Sequence, residues 1–147
     1  MLDITVRGDA VGQGSMDAYR GRIVQPTKVR NHRDRVCAAA LSHWPPGRAP
    51  LTGPVGARVF VTAQRPKSHY LPANTRRPYP VLRPDAPGYS LSYPDLDKVL
   101  RLIGDALTDA NVLRDDKVVC RWEACRMYGD RPLTHIELFD LTEGNPA

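Results

Sequence analysis

Eleven of the chain's fourteen prolines fall between Pro45 and Pro94, and six of them (66, 72, 78, 80, 84 and 87) fall within residues 65–93. Proline lacks the backbone N–H that helices and ladders need and pushes the residue before it towards extended conformations. The middle of this 147-residue chain should therefore be loop-rich rather than helical. The hydrophobic pattern shows where ordered elements form. Leu2 to Arg7 alternates apolar and polar up to Gly8, as a half-buried strand does. An Ala-rich segment from about Lys28 to Ser42 favours helix, stopped by Pro45-Pro46-Gly47. Gly56 to Ala63 reads as a second strand. Beyond the prolines, Leu96, Val99, Leu100, Ile103, Ala106 and Leu107 recur at helical spacing, with Asn111 as the stop. Two further strands follow, over about 117–128 and 134–141. The first should carry Val118, Cys120, Trp122 and Ala124 on one face. The expectation is a single α/β domain of the α+β kind spanning 1–147, with a mixed sheet and flanking helices. No internal repeat divides it.

Charge is distributed unevenly. Residues 1–90 carry 14 Lys and Arg against 5 Asp, a balance of +9, whereas residues 91–147 carry 7 against 11 acidic residues, a balance of −4. A basic first half attracts a polyanion. An acidic second half is a poor nucleic-acid surface unless its carboxylates hold metal. The proline-rich stretch interleaves Arg65, Lys67, His69, Arg76, Arg77 and Arg83 with Tyr70, Tyr79 and Tyr89, a composition that suits either a clasp on nucleic acid or a solvated surface loop. Nothing approaches the roughly 18 consecutive apolar residues of a membrane span, and Met1 to Gly8 lacks the layout of a secretion signal. Cys37, Cys120 and Cys125 form no CxxC pair. Reduced thiols in a cytoplasmic protein are expected, with one of Cys120 and Cys125 in the core. His32, His43 and His135 have no zinc spacing with them, and Trp44 and Trp122 read as packing residues.

The chemistry-bearing pattern is Asp95-Leu96-Asp97-Lys98 followed by Asp115-Asp116. Pro94 favours extended backbone, so Asp95 and Asp97 can converge at the mouth of the helix. A helix of that length runs roughly 20 Å away at 1.5 Å per residue, and the seven steps from Asp109 to Asp116 span about 23–25 Å if extended. That is enough to return Asp116 to the helix start. Three carboxylates brought together repel unless a cation or protons neutralise them, and oxygen-only ligands suit Mg²⁺ or Mn²⁺. Each piece also has an ordinary reading: an Asp before a helix caps it, and Asp-Asp before a strand makes a turn. Asp105 and Asp109 read as exposed helix residues.

Asp95-Leu96-Asp97, Asp105-Ala106-Leu107-Thr108 and Asp115-Asp116 with Val118-Val119 together resemble the RusA family of Holliday junction resolvases, ungapped from Asp95 to Val119. Gly12-Gln13-Gly14-Ser15 and the basic stretch after it look like phage-type members. The resemblance implies a homodimeric, Mg²⁺-dependent endonuclease that nicks a four-way DNA junction symmetrically in recombination and repair, with Mn²⁺ able to substitute. It puts the metal aspartates at Asp95, Asp97 and Asp116. The family's lysine falls on Arg101, a departure, and Lys98 stands where Asn is usual. Either cation could stabilise charge on the scissile phosphate, though Arg could not donate a proton. Arg20, Arg22, Lys28, Arg30, Arg33, Lys67, His69, Arg76 and Arg77 are the expected DNA contacts. A flap- or fork-specific nuclease, a DNA-binding protein with purely structural aspartates, and a small-molecule phosphohydrolase are the competing readings.

Overall fold

The computed structural model describes residues 1–14, 17–19, 22–24, 26–92 and 94–142, with side chains for all of these except 17–19 and 22–24. In chain order the elements are β1 (Leu2–Arg7), a short hairpin of β2 (Asp17–Tyr19) and β3 (Arg22–Val24), α1 (Thr27–Leu41), β4 (Val55–Gln64), a one-turn 3-10 helix Lys67–His69, the two-residue pair β5 (Tyr70–Leu71) and β6 (Val81–Leu82), α2 (Leu96–Asp109), a 3-10 turn Asp116–Val118, β7 (Val119–Gly129) and β8 (Leu133–Asp140). The predicted strands and helices are all present, with ends displaced by one or two residues. The expected α+β class holds, and the described residues share one core. The β2–β3 hairpin was not expected, since three-residue strands are too short to print an alternation.

The main sheet has the order β1-β8-β4-β7. β8 pairs antiparallel with both β1 and β4, while β4 and β7 are parallel. Parallel strands require a crossover, and here it is the proline-rich segment followed by α2. One face of the sheet carries Leu2, Ile4, Val6, Val55, Ala57, Val59, Val61, Ile136 and Leu138, all buried. α1 and α2 lie over that face and against each other. α2 supplies Val99, Leu102, Ile103, Ala106 and Leu107 to the core, and each large side chain so buried contributes on the order of 1.5–3 kcal/mol. The helix closes where the sequence places its stop. Asn111 adopts φ 58°, a left-handed conformation that asparagine tolerates better than most residues.

The opposite face is half-polar. Arg58 on β4 bridges Glu123 on β7 and Glu137 on β8, each at 2.9 Å. Both glutamates flank it across the ladder, as the register Arg58↔Glu123 and Arg58↔Glu137 dictates.

β7 departs from the expected face assignment. Val55 pairs with Val119 but Gly56 pairs with Arg121, so Cys120 is an extra residue in a β-bulge. Val118, Trp122 and Ala124 pack against the core as expected, whereas the bulge turns Cys120 out to solvent, and Cys125 falls on the half-polar face. Neither cysteine is in the core, and Cys37 on α1 is the one packed against it. All three thiols are free. Trp44 is buried, with the Arg48 guanidinium 3.6 Å from its ring centroid.

The proline-rich segment is anchored to the outer edge of β7. Tyr128 N donates to Gly88 O, Ser90 N donates to Arg126 O, and Tyr89 bridges to Met127. Arg126 also donates from Nη1 to the carbonyls of Ser92 and Pro94. That double contact fixes the chain immediately before Asp95, and so sets where α2 begins.

Candidate functional site

A recess of about 310 Å³ is lined by Asp97, Leu100, Arg101, Gly104, Asp116 and Trp122. Asp97, Arg101 and Gly104 are spaced four and three residues apart on α2, so they share one helix face. Asp116 reaches that face from the turn before β7. A Cβ built on Gly104 would lie 3.5 Å from Asp116 Cβ. The returning chain thus meets α2 at mid-helix rather than at its start, roughly 10 Å along the axis from Asp97. The reason is local. Val112 and Leu113 donate to Leu107 O, and Val112 and Arg114 exchange backbone bonds with Leu51. These contacts spend the span that an extended chain would have had.

Asp115 takes the ordinary role open to it, its carboxylate accepting the Lys117 backbone N–H at 2.9 Å. That hydrogen bond holds its carboxyl below the usual range, and the hydrogen bond it shares with Asp116 lowers it further. The same shared contact raises the Asp116 carboxyl, together with slight desolvation and the negative charges of Asp115 and Asp105. Asp95 occupies the N-cap position of α2 in extended conformation, yet its side chain makes no capping hydrogen bond. It lies outside the recess and pairs with Lys98 at 3.3 Å. Among the described residues, no three His, Cys, Asp or Glu side chains come close enough together to hold a metal ion. The structure therefore brings Asp97, Arg101 and Asp116 together and leaves Asp95 with Lys98 at the mouth of the helix.

The expected DNA contacts scatter. Arg20 lies outside the described residues, as does the side chain of Arg22. Lys28 is exposed and lines a larger cleft of about 720 Å³ with Asn31, Arg35 and the Gly8–Val11 segment, whose lining includes none of Asp95, Asp97 and Asp116. Arg30 is exposed on α1. Arg33 turns inward to Asp109 at 2.6 Å. Lys67 is exposed, and His69 sits edge-on to Tyr128 at 4.8 Å. Arg76 and Arg77 lie in the connection between β5 and β6, where both backbone N–H groups donate to Asn74 Oδ1.

Two residues beside this site stand in the motifs that carry the family resemblance, but the sequence assigns neither a role. Asp105 reads as an exposed helix residue, yet it is half-buried and accepts from Gln13 Nε2 at 2.5 Å. Gln13 lies in the Gly12–Gly14 loop, 92 residues away, so no local pattern could link them. The loop runs along α2, with Gln13 N donating to Lys98 O at 3.0 Å. A Cβ on Gly12 would meet Lys98 Cβ at 2.8 Å, whereas one on Gly14 would meet nothing within 4 Å among the described residues. Gly12→Ala must push the loop off the helix and should cost about 1–3 kcal/mol, lowering the melting temperature by roughly 3–10 °C. Gly14→Ala should leave it nearly unchanged. Equal melting temperatures in a thermal scan of the two variants would show that the loop does not pack as described.

A family model described as endodeoxyribonuclease RusA matches residues 9–139. The chain belongs to the RusA family. No curated relative matches it. The matched range takes in the Gly12–Gly14 loop, both helices and the sheet from β4 to β8. As a RusA-family protein it is a structure-specific DNA endonuclease, a hydrolase acting on Holliday junctions. No helix among the described residues is long and apolar enough to cross a membrane.

Proposed function

We propose that this RusA-family chain cuts four-way junctions by paired, symmetric hydrolysis in DNA recombination and repair in the cytoplasm, as a homodimer that uses Mg²⁺, with Mn²⁺ as a substitute. The observation that carries the reading is the recess that Asp97 and Asp116 line together on one face of α2, with Arg101 between them along the helix. RusA-type nucleases are generally dependent on a divalent metal, and the residues present fit one. The donors are oxygen only, and the Asp116 carboxyl, raised first by its hydrogen bond with Asp115 and by desolvation, is raised further by the negative charges of Asp115 and Asp105, which a cation would neutralise. Asp97 and Asp116 would hold the ion, with Asp95 as the third carboxylate once it releases Lys98. When bound, a divalent cation there polarises a phosphodiester and lowers the pKa of the attacking water.

The chain's own groups do the rest. Arg101 at the rim of the recess offers a planar fork to a non-bridging phosphate oxygen. Lys98, freed from Asp95, offers a second cation at the helix N-terminus. Water attacks phosphorus in line, and the P–O bond to the 3′ oxygen breaks, leaving a 5′-phosphate and a 3′-hydroxyl. Lys28, Arg30, Lys67, His69, Arg76 and Arg77, with Arg20, Arg22 and Arg33, contribute to holding the junction arms. Two sites related by a dimer two-fold would place the paired cuts in a pseudo-symmetric junction.

A gel assay of purified protein with a synthetic four-way junction, flap, fork and linear duplex of equal length tests this. Symmetric nicks confined to the junction, present with Mg²⁺ and lost in EDTA, are the expected result. Preferential cutting of flaps or forks would overturn the substrate assignment and keep the hydrolytic chemistry. Tight junction binding without cleavage in any divalent metal would remove the catalytic reading.

A further inference from the structure

Asp105 is a carboxylate that the hydrolytic reading leaves unused. It lies eight residues after Asp97 and four after Arg101, on the same face of α2, and its negative charge is felt at Asp116. Two groups approach it. Arg33 Nη1 comes within 4.0 Å, but the closer partner of Arg33 is Asp109 at 2.6 Å. Gln13 makes the short contact at 2.5 Å. Gln13 is only 3% exposed, and its Oε1 is buried with no partner among the described residues. A buried amide with its carbonyl unmet disfavours folding relative to an apolar side chain of the same size. The contact is therefore a poor device for stability. It is a good device for fixing a charge: a neutral donor orients a carboxylate without cancelling it, which Lys or Arg at the same place would do.

We propose that Gln13 and Asp105 are positioning residues of the Asp97–Asp116 site. The Gln13 amide, carried by a loop that is hydrogen-bonded to α2 at Lys98, holds the Asp105 carboxylate beside the recess as a fixed negative charge. That charge strengthens the site's attraction for a divalent cation without ligating it. The proposal rests on the metal reading above and extends it to two residues outside the recess.

The test is Mn²⁺ binding by metal-free protein without DNA, followed by the decline of the free-ion EPR signal, for wild type, Asp105→Asn, Gln13→Met and Asp97→Asn. Asp105→Asn and Gln13→Met should weaken binding on the order of several-fold to 10-fold, the consequence of losing or misplacing one nearby negative charge at a solvent-facing site. A role confined to packing would shift the melting temperature and leave Mn²⁺ affinity alone. Asp105→Asn keeps the shape of the side chain and carries the test by itself if Gln13→Met fails to fold. Wild-type affinity in Asp105→Asn, alongside weakened binding in Asp97→Asn, would overturn the positioning role and leave the metal reading intact. Absence of Mn²⁺ binding by wild type, or undiminished binding by Asp97→Asn, would overturn both.

Discussion

Asp97→Asn and Asp116→Asn should each reduce junction cleavage at least about 10³-fold while leaving junction binding within a few-fold of wild type. Each substitution replaces a carboxylate by an isosteric amide that cannot neutralise a bound cation, and water activation depends on that cation. Binding should survive because neither residue supplies positive charge to the polyanion. A thermal scan in EDTA adds an independent readout. The Asp116 carboxyl is raised by its hydrogen bond with Asp115, by slight desolvation and by repulsion from Asp115 and Asp105. Its ionised form is therefore disfavoured in the metal-free fold. Removing that charge should leave the melting temperature equal to or above that of wild type, so loss of activity could not be ascribed to misfolding. Asp95→Asn is the informative companion. Its carboxylate pairs with Lys98 outside the recess, and an equally deep loss there would require it to move inward during the reaction. Cleavage near the wild-type rate by Asp97→Asn or Asp116→Asn, measured as the initial rate of nicking at saturating Mg²⁺, would dismiss these aspartates as metal holders.

How far this arrangement could be read from the chain depends on how local the cause of each part was. β1 shows a strict alternation of buried and exposed residues, and two-residue periodicity is visible in six residues of sequence. α2 announces itself by its apolar stripe and by Asn111, because helix geometry and its termination are both set within a few residues. Asp97 and Asp116 were legible as members of a candidate site, with Asp95, because one stands at the helix start and the other follows after a measurable length of chain; Arg101 came only from the family resemblance. The features that escaped are long-range. Cys120 bulges because β7 must also match β4, and β4 lies on the far side of the proline-rich segment. Arg126 fixes the approach to Asp95 from a strand some thirty residues later. Gln13 and Asp105 meet across most of the chain, so their pairing is a property of the packed α2 face alone. Where Asp116 comes to rest was misjudged by about two helical turns. Chain length sets only how far a segment can reach, while Leu51 and Leu107 decide where it is tied.

Acidification from about pH 6.5 to pH 4.5 should destabilise the protein progressively, and His32 is the cause. Its side chain is fully buried on α1, and its pKa is lowered from 6.5 to about 4 by burial and by the neighbouring positive charge of Arg35. The Arg35 guanidinium donates to His32 Nδ1 at 3.2 Å, which places the imidazole proton on Nε2, an atom that is buried without a partner among the described residues. Below about pH 6.5 the unfolded chain takes up a proton that the folded chain refuses until about pH 4. The unfolded state therefore binds more protons throughout that window, and stability falls as pH falls. The full effect is at most about 3 kcal/mol, from roughly 1.36 kcal/mol for each pH unit of displacement. The carboxyls held low, those of Asp85, Asp115, Glu123 and Asp140, begin to lose their contribution only near and below about pH 4.5. Most of the window thus belongs to the imidazole. Urea unfolding of wild type and His32→Leu between pH 4.5 and 7.5 separates the cases: the variant should lose most of the slope between pH 6.5 and 4.5. If the variant does not fold, the His32 ring can be titrated directly by NMR, and protonation near pH 6.5 in the folded protein would sink the prediction. The consequence reaches the site through Arg35, which also donates to the carbonyls of Arg7 and Asp9. Those carbonyls begin the segment that ends at Gln13. Charging His32 beside Arg35 would loosen the anchor of the loop that packs on α2, so acid should weaken the Gln13–Asp105 contact before it unfolds the sheet.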